Sequence, residues 1–145
     1  MHGRSLVIAV AAVAIGAAGC SSPRAATPPR GTLPAGTAEF SLDGGTARVT
    51  EAVQCESIEW MKTIQTGDKT WGVSVMLSNA KKLVAEFVRL HNLDGFNGSY
   101  DRHLQGEAAV TMTGPTYRIA GSAVGYSSAK ATERTTEPFE LRVSC

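Results

Sequence analysis

The clearest hydrophobic pattern lies at the end of the chain, where Phe139, Leu141, Val143 and Cys145 alternate with Glu140, Arg142 and Ser144. A period of two predicts a strand with one buried face. Trp71 to Ser78 repeats the pattern, with Trp71, Val73, Val75 and Leu77 opposite Gly72, Ser74 and Ser78, although Met76 is apolar on the nominally wet side. Ala108–Thr113 and Thr116–Val124 flank Gly114-Pro115 and predict a hairpin, with Tyr117 and Ile119 facing away from Arg118. Phe40–Leu42 runs into Asp43-Gly44-Gly45, a tight-turn signal. Thr46–Cys55 then predicts a second strand with Ala47, Val49, Val53 and Cys55 on one face, interrupted by Glu51.

Asn79–Leu90 is ambiguous. Leu83, Val84, Phe87, Val88 and Leu90 fit a helical stripe, Leu83, Ala85 and Phe87 fit a strand, and periodicity by itself favours the helix. Composition tips the rest of the chain toward β structure: Thr, Ser, Gly, Ala and Val are abundant and Leu is modest, which suits short strands and turns. Residues 39–145, about 100 in number, are enough for one core. The expected fold class is all-β, an antiparallel β-sandwich-like single domain.

Before that domain the pattern changes twice. Met1 to Arg4 makes a short positive start, and Leu6–Ala18 is uninterrupted by charge and too short to span a membrane comfortably. Residues 1–19 therefore read as a signal peptide. Ala17-Ala18-Gly19-Cys20-Ser21-Ser22 resembles the bacterial lipobox, in which small residues precede a cysteine whose thiol receives a diacylglyceryl group before cleavage. Ala17 stands where Leu is usual. Lipidation of Cys20 is the expected chemistry, and two or three acyl chains hold a protein durably where one holds it marginally. The alternative is a secreted chain cut at a small-residue site such as Ala18. Residues 20–38 carry Pro23, Pro28, Pro29 and Pro34, with Leu33 the single large apolar side chain. This stretch reads as a flexible, partly extended linker of about 3 Å per residue. Thr27, Thr32 and Thr37 are candidate sugar acceptors, with an unmodified linker the equal alternative.

Charge changes the picture by exclusion. The chain has 14 Lys and Arg against 13 Asp and Glu, and Arg4 is the only one of these before Cys20. No basic stripe suggests nucleic acid as a partner. Once Cys20 is assigned, Cys55 and Cys145 remain, and an even pair in an exported chain is most simply a disulfide. Both sit on the inward parity of their predicted strands. A metal site or a reactive thiol is the alternative, but nothing near Cys55 has ligand spacing.

Cys20-Ser21-Ser22, the Pro/Thr/Ala linker, Val53-Gln54-Cys55, and the stretch Tyr117-Arg118-Ile119-Ala120-Gly121-Ser122-Ala123-Val124-Gly125 leading to Phe139–Cys145 together resemble the mycobacterial 19 kDa lipoprotein antigen family. The resemblance spans nearly the whole chain and is most specific in its last third. It departs in the middle, where Lys81–Arg89 is more charged and Asn92–Asp101 has its own loop chemistry. It implies an antiparallel β domain, which makes Leu83–His91 a strand. It also implies a cell membrane location on the outer, extracytoplasmic face, with an acylated terminus recognised by host Toll-like receptor 2 and a globular part serving adhesion or another envelope role. It carries over no catalytic residue.

The remaining chemistry is sparse. His91, Asp94, Asp101 and His103 could ligate a metal, but their spacing matches no compact set, and Gly95, Asn97 and Gly98 mark a turn between them. Asn97-Gly98-Ser99 has the letters of a glycosylation sequon and reads as part of that turn. Gly121-Ser122-Ala123-Val124-Gly125 mimics the small residues of a nucleophile elbow without its spacing. No catalytic residue, metal ligand or cofactor is expected, and the ligand-binding residues are unknown. Trp60, Trp71, Met61, Met76, Phe87 and Phe96 either line an apolar cleft or fill the core. Two functions follow: a non-enzymatic interaction module on a lipid anchor, or a carrier of envelope lipid or glycolipid. The carrier needs an enclosed apolar cavity, and the module a filled core.

Overall fold

A computed structural model describes Thr27 and residues 29–145. The expected signal peptide and Cys20 lie outside the described residues.

The described chain forms ten antiparallel strands: β1 (Thr37–Leu42), β2 (Arg48–Thr50), β3 (Val53–Ile58), β4 (Met61–Gly67), β5 (Gly72–Ser78), β6 (Val84–Leu93), β7 (Phe96–Asp101), β8 (Glu107–Thr113), β9 (Thr116–Ser127) and β10 (Lys130–Ser144). They pair in the order β2-β1-β10-β9-β7-β6-β5-β4-β3, and β8 joins β9 off that path. One long strand makes this possible. Along a single edge, β9 pairs first with β8 through Thr116–Ser122 and then with β7 through Val124–Ser127. The sheet therefore forks at β9 into two layers, β8-β9-β10-β1-β2 and β7-β6-β5-β4-β3, that curl toward closure around one core.

Gly121 and Gly125 make the fork sterically possible. A Cβ on Gly121 would meet the Glu107 carbonyl oxygen, and one on Gly125 would meet the Asn97 carbonyl oxygen. Glycine in a strand interior commonly marks such a close backbone approach at a corner. The core between the layers holds Ile64, Val75, Val88, Ile119, Leu141 and Val143 with no exposed surface, together with Phe40, Leu77, Leu93, Phe96 and Phe139.

The all-β, antiparallel expectation holds, as do the strands over Trp71–Ser78 and Phe139–Ser144 and the hairpin around Gly114-Pro115. The Asp43-Gly44 turn is present, with both residues at positive φ. Asn79–Leu90 forms no helix; it leads into β6. There Ala85, Val88, Leu90 and Leu93 are buried. Register shifts between Met76 and Leu77 and between Leu90 and Leu93 accompany that uneven spacing.

Three expectations require correction. Thr46–Cys55 is two strands: a local turn in which Thr50 Oγ1 accepts the Ala52 N–H at 3.0 Å separates β2 from β3, which lie at opposite ends of the pairing order. Val49, paired with Glu39, faces away from the core and is exposed; Cys55, paired with the buried Ile64, faces inward but is exposed on an end strand, and Cys145 is exposed just beyond the end of β10. Inward parity therefore does not bring burial at either cysteine. Asn97, Gly98 and Ser99 belong to β7, and the turn before them is Asp94-Gly95. Finally, β1 begins at Thr37 and buries Ala38, so the folded part starts before residue 39.

Candidate functional site

The linker does not stop at the edge of the domain but lies along it. Thr116 Oγ1 accepts the Leu33 N–H at 2.9 Å, Arg142 donates to the Gly31 carbonyl at 2.5 Å, and Gly36 N–H donates to the Ser144 carbonyl at 2.8 Å. Arg142 also pairs with Glu39 at 2.6 Å. Thr116 and Ser144 point away from the core by strand parity, yet both are buried, because residues 31–36 cover the ends of β9 and β10 as a strap. Neither Thr116 nor Arg142 stood out in the sequence. Each occupies the wet side of an alternating strand, where a polar residue needs no special explanation.

Beside the strap, Cys145 is disulfide-bonded to Cys55, with Cα atoms 5.9 Å apart and a sequence separation of 90. The bond joins the free end of β10 to β3, the last strand of the other layer. A second contact crosses the same opening: the Lys62 ammonium of β4 lies 5.7 Å from the centre of the Tyr117 ring of β9. Such an arrangement is weakly attractive through the ring quadrupole. The disulfide expected from cysteine counting is therefore present, but its place is the open seam of the sheet rather than its core.

Two hollows flank the seam. One, about 210 Å³, sits at the mouth between the layers and includes Trp60, Lys62, Leu77, Leu83, Met112 and Tyr117 in its lining. The other is a half-open groove of about 750 Å³ on the outer face of β3–β6 and β4–β5, whose lining includes Gln54, Gln65, Asp68, Ser74, Arg89 and His91. Gln54, Gln65, Ser74 and Arg89 are consecutive cross-strand partners, so a polar row runs straight across four strands. At the groove's end, hydrogen bonds from the Thr70 hydroxyl and then its N–H, 2.6 and 2.7 Å long, hold the Asp68 carboxyl below its usual range.

The residues considered as metal ligands are dispersed. Asp94 in the β6–β7 turn pairs with Arg48 at 3.0 Å, and Asp101 at the end of β7 accepts from Ser99 at 2.7 Å and lies 3.8 Å from Arg89. His91 faces the outer groove and His103 occupies a loop at positive φ. Among the described residues no group of three or more His, Cys, Asp or Glu side chains could hold a metal ion. Ser122 lies within β9 between Glu107 and Pro138, not on a sharp turn.

The aromatic and methionine set also divides. Phe96 is buried in the core, Trp71 packs against the core and carries Arg48 over its ring at 4.7 Å, and Trp60 and Met61 belong to the mouth. They do not line one common cleft.

The fold and site together define a small antiparallel β domain, closed at its seam by a disulfide and entered by a docked N-terminal strap. Residues 31–145 match the Mycobacterium 19 kDa lipoprotein antigen family, and this chain belongs to it. The match begins where the strap begins. The chain is 31% identical to a putative lipoprotein of Mycobacterium avium subsp. hominissuis, over 96% of this chain and 92% of that one. It is 32% identical to the probable lipoprotein LppE of Mycobacterium tuberculosis, over 79% and 81% respectively. It is 30% identical to the lipoprotein LpqH of the same species, over 98% of each. Membership in a lipoprotein family implies an envelope location held by a membrane anchor.

Proposed function

We propose that the protein is a non-enzymatic envelope lipoprotein, acylated at Cys20 on the outer face of the cytoplasmic membrane, whose β domain is an interaction module. The observation that carries this reading is the filled core: the side chains between the layers are fully enclosed, while the broad groove lies outside them and most of the residues along it are polar or charged. A carrier would need its apolar volume inside, where a lipid chain could be shielded from water. Here Ile64, Val75, Val88 and Ile119 occupy that place. The polar row Gln54, Gln65, Ser74 and Arg89 offers a surface for a hydrogen-bonding envelope or host partner. The relatives are named as lipoproteins and none of those cited carries an enzyme name, which supports the non-enzymatic reading. Recognition by host Toll-like receptor 2 rests on the acyl chains and not on the fold.

Intact mass of the chain from a mycobacterial host, with and without reduction, tests the anchor. The expected result is cleavage before Cys20 plus acyl mass, abolished by Cys20→Ala, and a gain of two hydrogens on reduction from the single disulfide. An unacylated mature chain would overturn the reading.

A further inference from the structure

The mouth between the layers carries an unusual surface. Ile58, Trp60 and Met112 are 67%, 56% and 48% exposed. Trp60 of the β3–β4 hairpin and Met112 of β8 face each other across the mouth, and Ile58, paired with Met61, stands at the tip of the same hairpin on its outer side. Leu83 completes the apolar surface from the β5–β6 loop, which is fastened to the hairpin by the Asn79 N–H bonding to the Trp60 carbonyl at 2.9 Å. Among the described residues, the other large apolar side chains that are exposed, Val49, Leu104 and Tyr126, sit on separate elements.

Charge surrounds this patch on one side. Lys81 and Lys82, both exposed, precede Leu83 in the β5–β6 loop, and Lys62 lies in the mouth, against Glu59 as the acidic residue of its lining. Exposed Trp flanked by Lys is the composition that proteins place at a bilayer surface. The indole lodges at headgroup depth, and nearby cations are drawn to anionic lipid.

The path of the chain points the same way. The strap reaches the domain at this end: Thr32 Cγ2 lies 3.3 Å from where a Cβ of Gly114 would stand, in the β8–β9 turn just after Met112. Docking of residues 31–36 removes much of the linker from the tether. Eleven peptide steps separate Cys20 from Gly31, where the strap begins, and at full extension they reach at most about 40 Å. A domain held that closely must turn one end toward the lipid, and the end the tether enters is the nearest.

We propose that the Trp60 mouth is a membrane-docking face, in which Ile58, Trp60, Leu83 and Met112 enter the interface of an anionic bilayer and Lys81 and Lys82 bind its headgroups. This rests on the Cys20 anchor, which supplies the high local concentration that so small an apolar patch requires. Docking leaves the polar groove of β3–β6 open to the outside.

The test uses the acylated mature chain in phosphatidylcholine–phosphatidylglycerol vesicles with brominated acyl chains, which quench tryptophan by contact. Trp71→Phe leaves Trp60 as the reporter, and Trp60→Phe leaves Trp71 at the opposite end of β5. The expected result is a blue shift and loss of most emission from Trp60 with little change at Trp71. Lys81→Glu with Lys82→Glu should reverse the Trp60 quenching while vesicle flotation persists. Flotation with equal quenching of the two tryptophans would overturn docking and leave the anchor standing. Loss of flotation together with an unmodified Cys20 would overturn both.

Discussion

Cys145, the residue after β10, is bonded to Cys55 of β3, the strand furthest from β10 along the longer arm of the sheet. The bond closes what backbone pairing leaves open. A disulfide across a loop of this length contributes about 4–5 kcal/mol in the chain-entropy treatment, a large share of a small domain's stability. Cys55→Ala, Cys145→Ala and the double variant should each lose a similar amount, seen as equal shifts in the urea midpoint. Reductant should bring the native chain to the same value. A double variant as stable as the oxidised chain would show that the seam is closed by packing alone.

The strap predicts a local effect. Thr116→Val removes the acceptor of the Leu33 N–H, and loss of one such hydrogen bond costs about 1–2 kcal/mol. Hydrogen exchange at residues 31–36 should accelerate while the β5 and β6 amides stay protected, because strap opening is sub-global. Uniform acceleration across the domain would instead mean that the strap belongs to the cooperative core.

Gly125→Ala tests the fork. Its Cβ would run into the Asn97 carbonyl and the Gly98 Cα, both backbone atoms that cannot rotate away. Overpacking of this kind costs about 1–3 kcal/mol, occasionally more. Thermal unfolding should show a clear fall in Tm, whereas Ala at Gly44 should act only through its turn conformation, since nothing lies within 4 Å of a Cβ there.

Alkaline pH offers a fourth measurement. Tyr100 is buried, its hydroxyl donates to the Ala85 carbonyl at 3.2 Å, and burial raises its pKa, with Arg102 opposing. A folded-state value above the unfolded one, near 10, means that the unfolded chain loses this proton first. The contribution of Tyr100 is thus present below about pH 10 and is lost as pH rises through the folded value. Tyr100→Phe should flatten the decline in unfolding free energy above that pH. An unchanged slope would place the alkaline sensitivity elsewhere.

Strands whose inward and outward residues alternate without interruption were legible from the chain. Phe139, Leu141 and Val143 alternate because β10 runs through the middle of the sheet, with β1 on one side and β9 on the other, and one face on the core. The β8–β9 hairpin was legible because Gly114-Pro115 is a local signal. The Cys55–Cys145 bond was legible by counting, since two cysteines remain once Cys20 is set aside as the expected lipidation site, and two have a single way to pair.

Position in the sheet was not legible, because it depends on which strands become neighbours. The 85, 88, 90, 93 spacing of buried residues in β6 includes steps of three, which a helix also produces, and only the register against β5 and β7 identifies them as irregularities in a strand. Val49 shares a parity with Cys55 along the chain, but the turn at Thr50–Ala52 leaves it on the outer face beside Glu39, while Cys55 faces inward on an end strand where parity no longer implies burial. Thr116 and Arg142 look like ordinary wet-side residues until residues 31–36 fold back over them. The sequence by itself therefore determined the fold class and the cysteine pair, which follow from local pattern and composition, and the family, which follows from the resemblance of its motifs. The tertiary structure decided the fork at Gly121 and Gly125, the docked strap, and which end of the domain the tether enters, since each depends on contacts between segments far apart in the chain.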